Sequence, residues 1–170
     1  RVIMKYKYIL FDLDGTITES GPGIMNSVEY ALNKMNREVG DRDTLKKFIG
    51  PPLTESMEKY YGMSKEEALL GVKYYREYYA VKGIFENSVY EGLAETLESL
   101  KNEGYILAVA TSKPEEYAKR IADKFDFAKY FVGIYGATMD GSLIRKADVI
   151  RYALDNLGVE RENYDQVVMV

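Results

Sequence analysis

Residues 6–16 read YKYILFDLDGT and combine an apolar run with two acids. The run at residues 6–13 is nearly continuous in apolar residues, which is typical of a strand buried on both faces of a parallel sheet. Two carboxylates, Asp12 and Asp14, stand at its end, and Gly15 then permits a tight turn. Ligands of open α/β sheets bind at the carboxyl ends of the strands. The stretch therefore predicts a central strand with a candidate site at its end.

Three further apolar runs predict strands at residues 105–110, 131–135 and 166–170. Helical patterns lie between them, at residues 114–125 and 146–157. An alternation of strand, helix and strand favours parallel pairing, because a crossover helix joins parallel neighbours. The sequence therefore predicts an α/β fold with a Rossmann-like parallel sheet.

The stretch between Gly21 and Gly83 breaks this alternation, because it contains helical patterns only. Helices are predicted there at residues 24–35, 44–48, 53–61 and 64–81. The glycines at both ends are suitable for hinges. We therefore expect a core domain of residues 1–20 and 84–170, with residues 21–83 inserted as an all-helical cap domain.

The chain has 170 residues and contains neither cysteine nor histidine. Thiol nucleophiles, disulfides, Cys/His zinc sites and histidine general bases are therefore excluded. Any chemistry has to use carboxylates, hydroxyls, lysines, arginines or a hard metal ion.

The charge and hydropathy of the chain also limit its partners. A net charge of −4 and a pI of about 5.1 argue against a nucleic acid polymer as the partner. No apolar run approaches the roughly 18 residues that a membrane span needs, so no membrane partner is expected. The lack of cysteine is compatible with the cytoplasm, where we expect the protein to be.

Asp12 and Asp14 are two residues apart, so their side chains would point the same way on a continuing strand. Carboxylates that close repel each other unless a cation, a proton on one of them, or both intervene. The plain alternative is an Asp-Gly turn with solvated acids. The apolar strand that leads into the pair favours a functional site.

Two more candidate positions follow predicted strands. Thr111 and Ser112 come after the strand at residues 105–110, where hydroxyl and backbone N–H groups can hold a phosphate group. The alternative is that both hydroxyls cap the next helix. Lys146 stands at the start of a predicted helix and could supply a positive charge to the site. One alternative is that Lys146 is only a solvated surface residue, and another is that Arg145 has this role.

The segment Asp12-Leu13-Asp14-Gly15-Thr16 resembles the first motif of the haloacid dehalogenase-like (HAD) hydrolases. In that family the first acid attacks phosphorus, which implies an aspartyl-phosphate on Asp12. The second acid protonates the leaving alkoxide and then deprotonates the hydrolytic water, a role that falls to Asp14. The division of roles between the two acids comes from the resemblance.

The same resemblance assigns roles to the later positions. Thr111 would hold a phosphoryl oxygen, and Ser112 would add its backbone amide. Lys146 would neutralise the nucleophile and the transferring phosphoryl group. The implied catalytic residues are Asp12, Asp14, Thr111 and Lys146, and the implied phosphate-binding residues are Gly15, Thr111, Ser112 and Lys146.

A magnesium ion follows from the resemblance as the expected cofactor. Its implied ligands are the carboxylate of Asp12 and the backbone carbonyl of Asp14. The fourth motif of the family, an acidic pair, should follow residues 166–170, where the given chain stops. We therefore expect the sequence to be part of a longer enzyme.

The segment Phe48-Ile49-Gly50-Pro51-Pro52-Leu53 resembles the cap loop of phosphoglycolate phosphatase-like members. The expected function is magnesium-dependent hydrolysis of a small phosphorylated metabolite, either phosphoglycolate-like or a nucleotide. A pyrophosphatase or a phosphomutase could use the same core. A non-catalytic binding protein stays open because the fourth motif is missing. The sequence does not determine the oligomeric state.

Overall fold

A computed structural model of the chain describes residues 5–170. These residues form two compact units: one joins the residues up to Ile17 with Val89–Val170, and the other is Thr18–Ser88. The strands are β1 (Tyr8–Phe11), β2 (Thr18–Glu19), β3 (Ser88–Val89), β4 (Ile106–Pro114), β5 (Gly133–Ala137) and β6 (Val167–Met169). The α-helices are α1 (Gly21–Lys34), α2 (Leu53–Tyr61), α3 (Lys65–Tyr79), α4 (Leu93–Asn102), α5 (Glu115–Lys124) and α6 (Lys146–Asn156).

The first unit is built on a four-stranded sheet in the order β5-β4-β1-β6. Every neighbouring pair is parallel, and β1 sits between β4 and β6. The register places Phe11 beside Val109. The predicted α/β fold with a parallel sheet is therefore confirmed, and β1 ends beside Val109, whereas β4 continues to Pro114.

Burial explains why the central strands are continuously apolar. Leu10 in β1 and Ala108 and Ala110 in β4 are fully buried, and helix α6 packs against them through Val149 and Ala153. A strand that is covered on both faces has no side exposed to solvent, so apolar and polar residues do not alternate along it. This core fixes the position of α6, whose first residue belongs to the site described below.

Several element bounds differ from the predicted ones. Strand β1 is shorter than residues 6–13, whereas β4 extends four residues beyond Ala110, so helix α5 begins at Glu115 and Pro114 still belongs to the strand. The pattern at residues 44–48 forms part of a 3₁₀-helix, Arg42–Phe48. Helix α4 and the short strands β2 and β3, which pair with each other, were not predicted at all.

The second unit is helical, apart from its short terminal strands. Helices α1 and α2 pack against α3, and their buried side chains include Val28, Leu32, Met57 and Tyr75. Ser64 and Glu67 form a capping box at the start of α3. No helix within residues 5–170 is both long enough and apolar enough to cross a bilayer.

Gly23 and Gly83 serve close packing within this unit. A Cβ atom on Gly23 would overlap the carbonyl group of Gly83, and one on Gly83 would lie 2.5 Å from Ser27 Oγ. Ser27 Oγ donates a 2.6 Å hydrogen bond to the carbonyl oxygen of Gly23. A side chain at either position would therefore force neighbouring atoms to move, because two backbone segments touch here.

Candidate active site

Asp12 lies directly after β1 and forms an ion pair with Lys146. The Lys146 Nζ atom is 2.7 Å from Asp12 Oδ2, and it also donates a 3.1 Å hydrogen bond to the carbonyl oxygen of Ala110 in β4. The other carboxylate oxygen, Oδ1, accepts the N–H of Leu13 at 2.8 Å. One lysine from the start of α6 therefore joins the residue after β1 to Ala110 in the neighbouring strand β4.

The turn after Asp12 reverses the chain and buries the next acid. The carbonyl oxygen of Leu13 accepts the N–H groups of Thr16 and Ile17, at 3.2 and 2.9 Å. Gly15 has a φ of +78°, a backbone conformation that residues with a side chain rarely adopt. This conformation explains why the turn has a glycine at this position. Gly15 is exposed, whereas the Asp14 side chain is only 7% exposed.

Lys113 is the partner of Asp14, and it was not predicted as a site residue. Its Nζ atom lies 3.2 Å from Asp14 Oδ2, and its side chain is 5% exposed. The exposed fractions in the other pair, Lys146 and Asp12, are 35% and 28%. The site therefore contains two acids and two lysines, with one ion pair buried and one accessible to solvent.

Thr111 is almost fully buried at the same edge of the sheet. Its Oγ1 atom accepts the backbone N–H of Lys113 at 3.1 Å. Helix α5 has Pro114 as its N-cap and no side-chain hydrogen bond at the cap, so Thr111 and Ser112 do not cap it. A hydroxyl that accepts one hydrogen bond still has its own hydrogen to donate. Ser112 is half-buried beside it.

Ser112 and Lys113 form an irregularity in strand β4, called the bulge from here on, because the register with β5 skips these two residues. The pairing with β5 runs from Thr111 beside Gly136 directly to Pro114 beside Ala137. A bulge bends the strand and turns side chains away from their regular direction, and bulges are common next to active sites. This irregularity places Lys113 where it can reach Asp14.

Gly136 makes room for the bulge. A Cβ atom there would lie 2.6 Å from the Lys113 carbonyl oxygen and 2.7 Å from the Cα and N atoms of Glu115. Glu115 Oε1 accepts the N–H of Gly136 at 3.3 Å and the hydroxyl of Tyr152 at 3.2 Å. Burial, together with the nearby Glu115 carboxylate, raises the pKa of Tyr152. These hydrogen bonds join the start of α5 to β5 and α6.

The loop that leads from β5 to Lys146 is held by its own hydrogen bonds. The Thr138 N–H donates to the carbonyl oxygen of Leu143, and the Leu143 N–H donates to Thr138 Oγ1, both at 2.9 Å. Asp140 accepts the N–H and the hydroxyl of Ser142, which lowers the pKa of Asp140 to about 2. The loop thus has a defined path just before Lys146.

The donor set at this edge fits a magnesium ion. Mg²⁺ is usually held by one or two carboxylates, with waters and substrate phosphate oxygens completing its shell. The Asp12 carboxylate and the Asp14 backbone carbonyl are oxygen donors of the kind that this ion prefers. Within residues 5–170 no group of three acids converges, so this part of the chain offers Asp12 and Asp14 only.

Comparisons with known proteins place these residues in a family. A family model described as haloacid dehalogenase-like hydrolase matches residues 9–170. A 5'-nucleotidase of Pseudomonas aeruginosa is 42% identical over 160 residues, which cover 94% of this chain and 72% of the relative. A phosphoglycolate phosphatase of Aquifex aeolicus is 31% identical, with 92% and 72% covered. The resemblance stated from the sequence is confirmed.

Two further similarities add to this result. The tyrosine-protein kinase PtkA of Mycobacterium tuberculosis is 39% identical over 163 residues, and the chain spans only 54% of its length. The crystal structure of a predicted phosphatase from Clostridium acetobutylicum superposes with a TM-score of 0.92 at 48% identity, covering 96% of this chain and 74% of that one. The fold of this chain thus occurs in a solved structure that shares almost half of its aligned sequence.

Proposed function

Because the chain belongs to the haloacid dehalogenase-like hydrolase family, we propose that it hydrolyses small phosphate monoesters through an aspartyl-phosphate on Asp12, with Mg²⁺ as its cofactor. The chain is an enzyme of the phosphatase class, as its family and its relatives named as phosphatases and a nucleotidase indicate. The observation that carries the proposed mechanism is the 2.7 Å ion pair between Lys146 and Asp12 at the carboxyl edge of the sheet.

Asp12 acts as the nucleophile in this proposal. One of its carboxylate oxygens attacks phosphorus, the new O–P bond forms, and the ester P–O bond breaks. The N–H of Leu13 holds Oδ1, so the carboxylate has a fixed orientation before the substrate arrives. Lys146 offsets the negative charge of the carboxylate and of the phosphoryl oxygens, which would otherwise repel each other.

Asp14 moves the proton in both halves of the reaction. It donates a proton to the departing alkoxide in the first half, and in the second half it accepts a proton from the water that attacks the aspartyl-phosphate. Orthophosphate leaves, and the Asp12 carboxylate is regenerated. The atoms balance as one ester and one water giving one alcohol and one phosphate.

Thr111 and Ser112 complete the phosphate-binding residues that we propose. The Thr111 hydroxyl accepts the Lys113 N–H, so its hydrogen can be donated to a phosphoryl oxygen. Ser112 adds its backbone amide, and exposed Gly15 leaves the turn open to substrate. The Asp12 carboxylate and the Asp14 backbone carbonyl would hold Mg²⁺, which when bound supplies positive charge to the phosphoryl oxygens.

The substrate class is a small phosphorylated metabolite. The relatives named 5'-nucleotidase and phosphoglycolate phosphatase support a nucleotide or a phosphoglycolate-like compound. We propose that the helical unit, Thr18–Ser88, acts as the cap that selects among them. The lack of cysteine supports a cytoplasmic location as part of the same proposal.

A phosphate-release screen tests this function. The protein is assayed with nucleotides, phosphoglycolate, sugar phosphates and pyrophosphate in the presence of Mg²⁺. We expect release from phosphomonoesters and its loss in Asp12→Asn by at least about three orders of magnitude. Asp123→Asn, which changes an exposed aspartate of α5, is the matched control and keeps wild-type rates. Release from pyrophosphate alone, or conversion of sugar phosphates without release, would replace the proposal by a pyrophosphatase or a mutase.

A further inference from the structure

The buried ion pair between Lys113 and Asp14 has no role in the function proposed so far. Its two side chains are 5% and 7% exposed, and the Nζ–Oδ2 distance is 3.2 Å. Removing two charges from water is costly, and a lysine is almost never this buried unless it is paired. A buried pair beside the nucleophile therefore needs an explanation in the chemistry of the site.

The local backbone places Lys113 specifically. Ser112 and Lys113 interrupt the regular pairing of β4 with β5, and the Lys113 N–H is held by Thr111 Oγ1 at 3.1 Å. Gly136 leaves the space that the bulge occupies, because a Cβ atom there would lie 2.6 Å from the Lys113 carbonyl oxygen. Three separate features of the chain thus fix the direction of one lysine.

We propose that Lys113 is a positioning residue that holds the Asp14 carboxylate in its reactive orientation. The ammonium group binds Oδ2, while Oδ1 is buried and has no hydrogen-bond partner among the described residues, so it is the oxygen that we assign to proton transfer. The second lysine, Lys146, is paired with the other acid, Asp12, at 2.7 Å. This inference rests on the proposed function, in which Asp14 transfers the proton.

The competing explanation is that Lys113 binds the substrate phosphate directly. The two roles differ in how they depend on the leaving group. Proton donation to the leaving oxygen matters greatly for an alkyl phosphate and little for p-nitrophenyl phosphate, whose phenolate leaves without help. A residue that acts through Asp14 therefore affects alkyl substrates more, whereas a phosphate-binding residue affects both equally and raises KM.

The experiment measures kcat and KM of wild type, Lys113→Met and Asp14→Asn on p-nitrophenyl phosphate and on the best alkyl phosphate. Lys129→Met removes a lysine from an exposed ion pair with Asp126 and is the control, with rates equal to wild type. We expect Lys113→Met to lose about tenfold more kcat on the alkyl phosphate than on the aryl one, with KM nearly unchanged. Asp14→Asn shows the same preference.

Equal losses on the two substrates, or a rise in KM with kcat retained, would overturn the positioning role. Circular dichroism melting verifies that each variant is folded. If Lys113→Met does not fold, Lys113→Gln keeps a hydrogen-bond donor in the same place and is measured instead. If the wild-type protein cleaves neither substrate, the proposed function is refuted. If the wild type is active and the variant loses equally on both substrates, only the positioning role is refuted.

Discussion

Replacing Gly136 by alanine tests whether the bulge in β4 is as tightly enclosed as the structure indicates. The new Cβ atom would lie 2.6 Å from the carbonyl oxygen of Lys113 and 2.7 Å from two backbone atoms of Glu115. Non-bonded atoms prefer separations of about 3.5–4.0 Å, so the backbone has to move by about 1 Å. Rotation of a side chain cannot relieve these contacts, because the three nearest atoms all belong to the main chain.

The cost of this movement can be estimated from related substitutions. Overpacking a tightly packed site destabilises by about 1–3 kcal/mol. For a chain of this size, each kcal/mol lowers the melting temperature by about 2–4 °C, so Gly136→Ala should melt about 2–12 °C below wild type. A shift of about 1 Å in the bulge also displaces Lys113, and misplacement of that size can lower kcat by up to about 100-fold.

Thermal melting followed by circular dichroism is the assay, with phosphate release measured on the same samples. Gly21→Ala is the matched control, because its Cβ atom would first meet the end of the Glu19 side chain, at 2.8 Å, which can rotate away. We expect the control to melt within about 2 °C of wild type, a typical limit for substitutions without a clash. A Gly136→Ala protein with wild-type melting and activity would refute the enclosed bulge.

Three other predictions concern the site and its loop. Lys146→Met should lower kcat for phosphate release by about 10²–10³-fold, because the charge next to Asp12 is lost, while Lys129→Met keeps the wild-type rate. Excess EDTA should stop phosphate release and added Mg²⁺ should restore it; an unchanged rate in EDTA contradicts the metal assignment. Asp140 has a folded pKa of about 2 against an ordinary value of 3.8, so its stabilising effect is present above pH 4 and is lost as the pH falls through 2. Asp140→Asn should therefore melt below wild type at pH 7 and approach it near pH 2, and a pH-independent difference would contradict this.

The sheet could be predicted because the burial of its strands determines which residue types they contain. Strands covered on both faces are continuously apolar, as the fully buried Leu10 and Ala108 illustrate. Helix α4 was missed although Leu93, Leu97 and Leu100 recur at helical spacing. Only Leu97 is buried, so the apolar face is narrow and its pattern is weak.

The site could be predicted in part for a different reason. Asp12 and Lys146 each follow a predicted strand, and the ends of parallel strands meet at one edge. Lys113 could not be found in this way, because its burial depends on a register shift between β4 and β5. A register shift depends on how β4 and β5 pack against each other. The sequence of β4 alone contains no pattern that would predict it.

The most direct measurement of the central claim is the detection of a phosphoryl group on Asp12. The protein is mixed with a good phosphomonoester substrate, quenched in acid during turnover, digested, and examined by mass spectrometry. We predict a phosphorylated peptide that contains Asp12, present in wild type and in Asp123→Asn and missing in Asp12→Asn. Steady phosphate release by Asp12→Asn at the wild-type rate, with no phosphorylated peptide in any sample, would contradict the account.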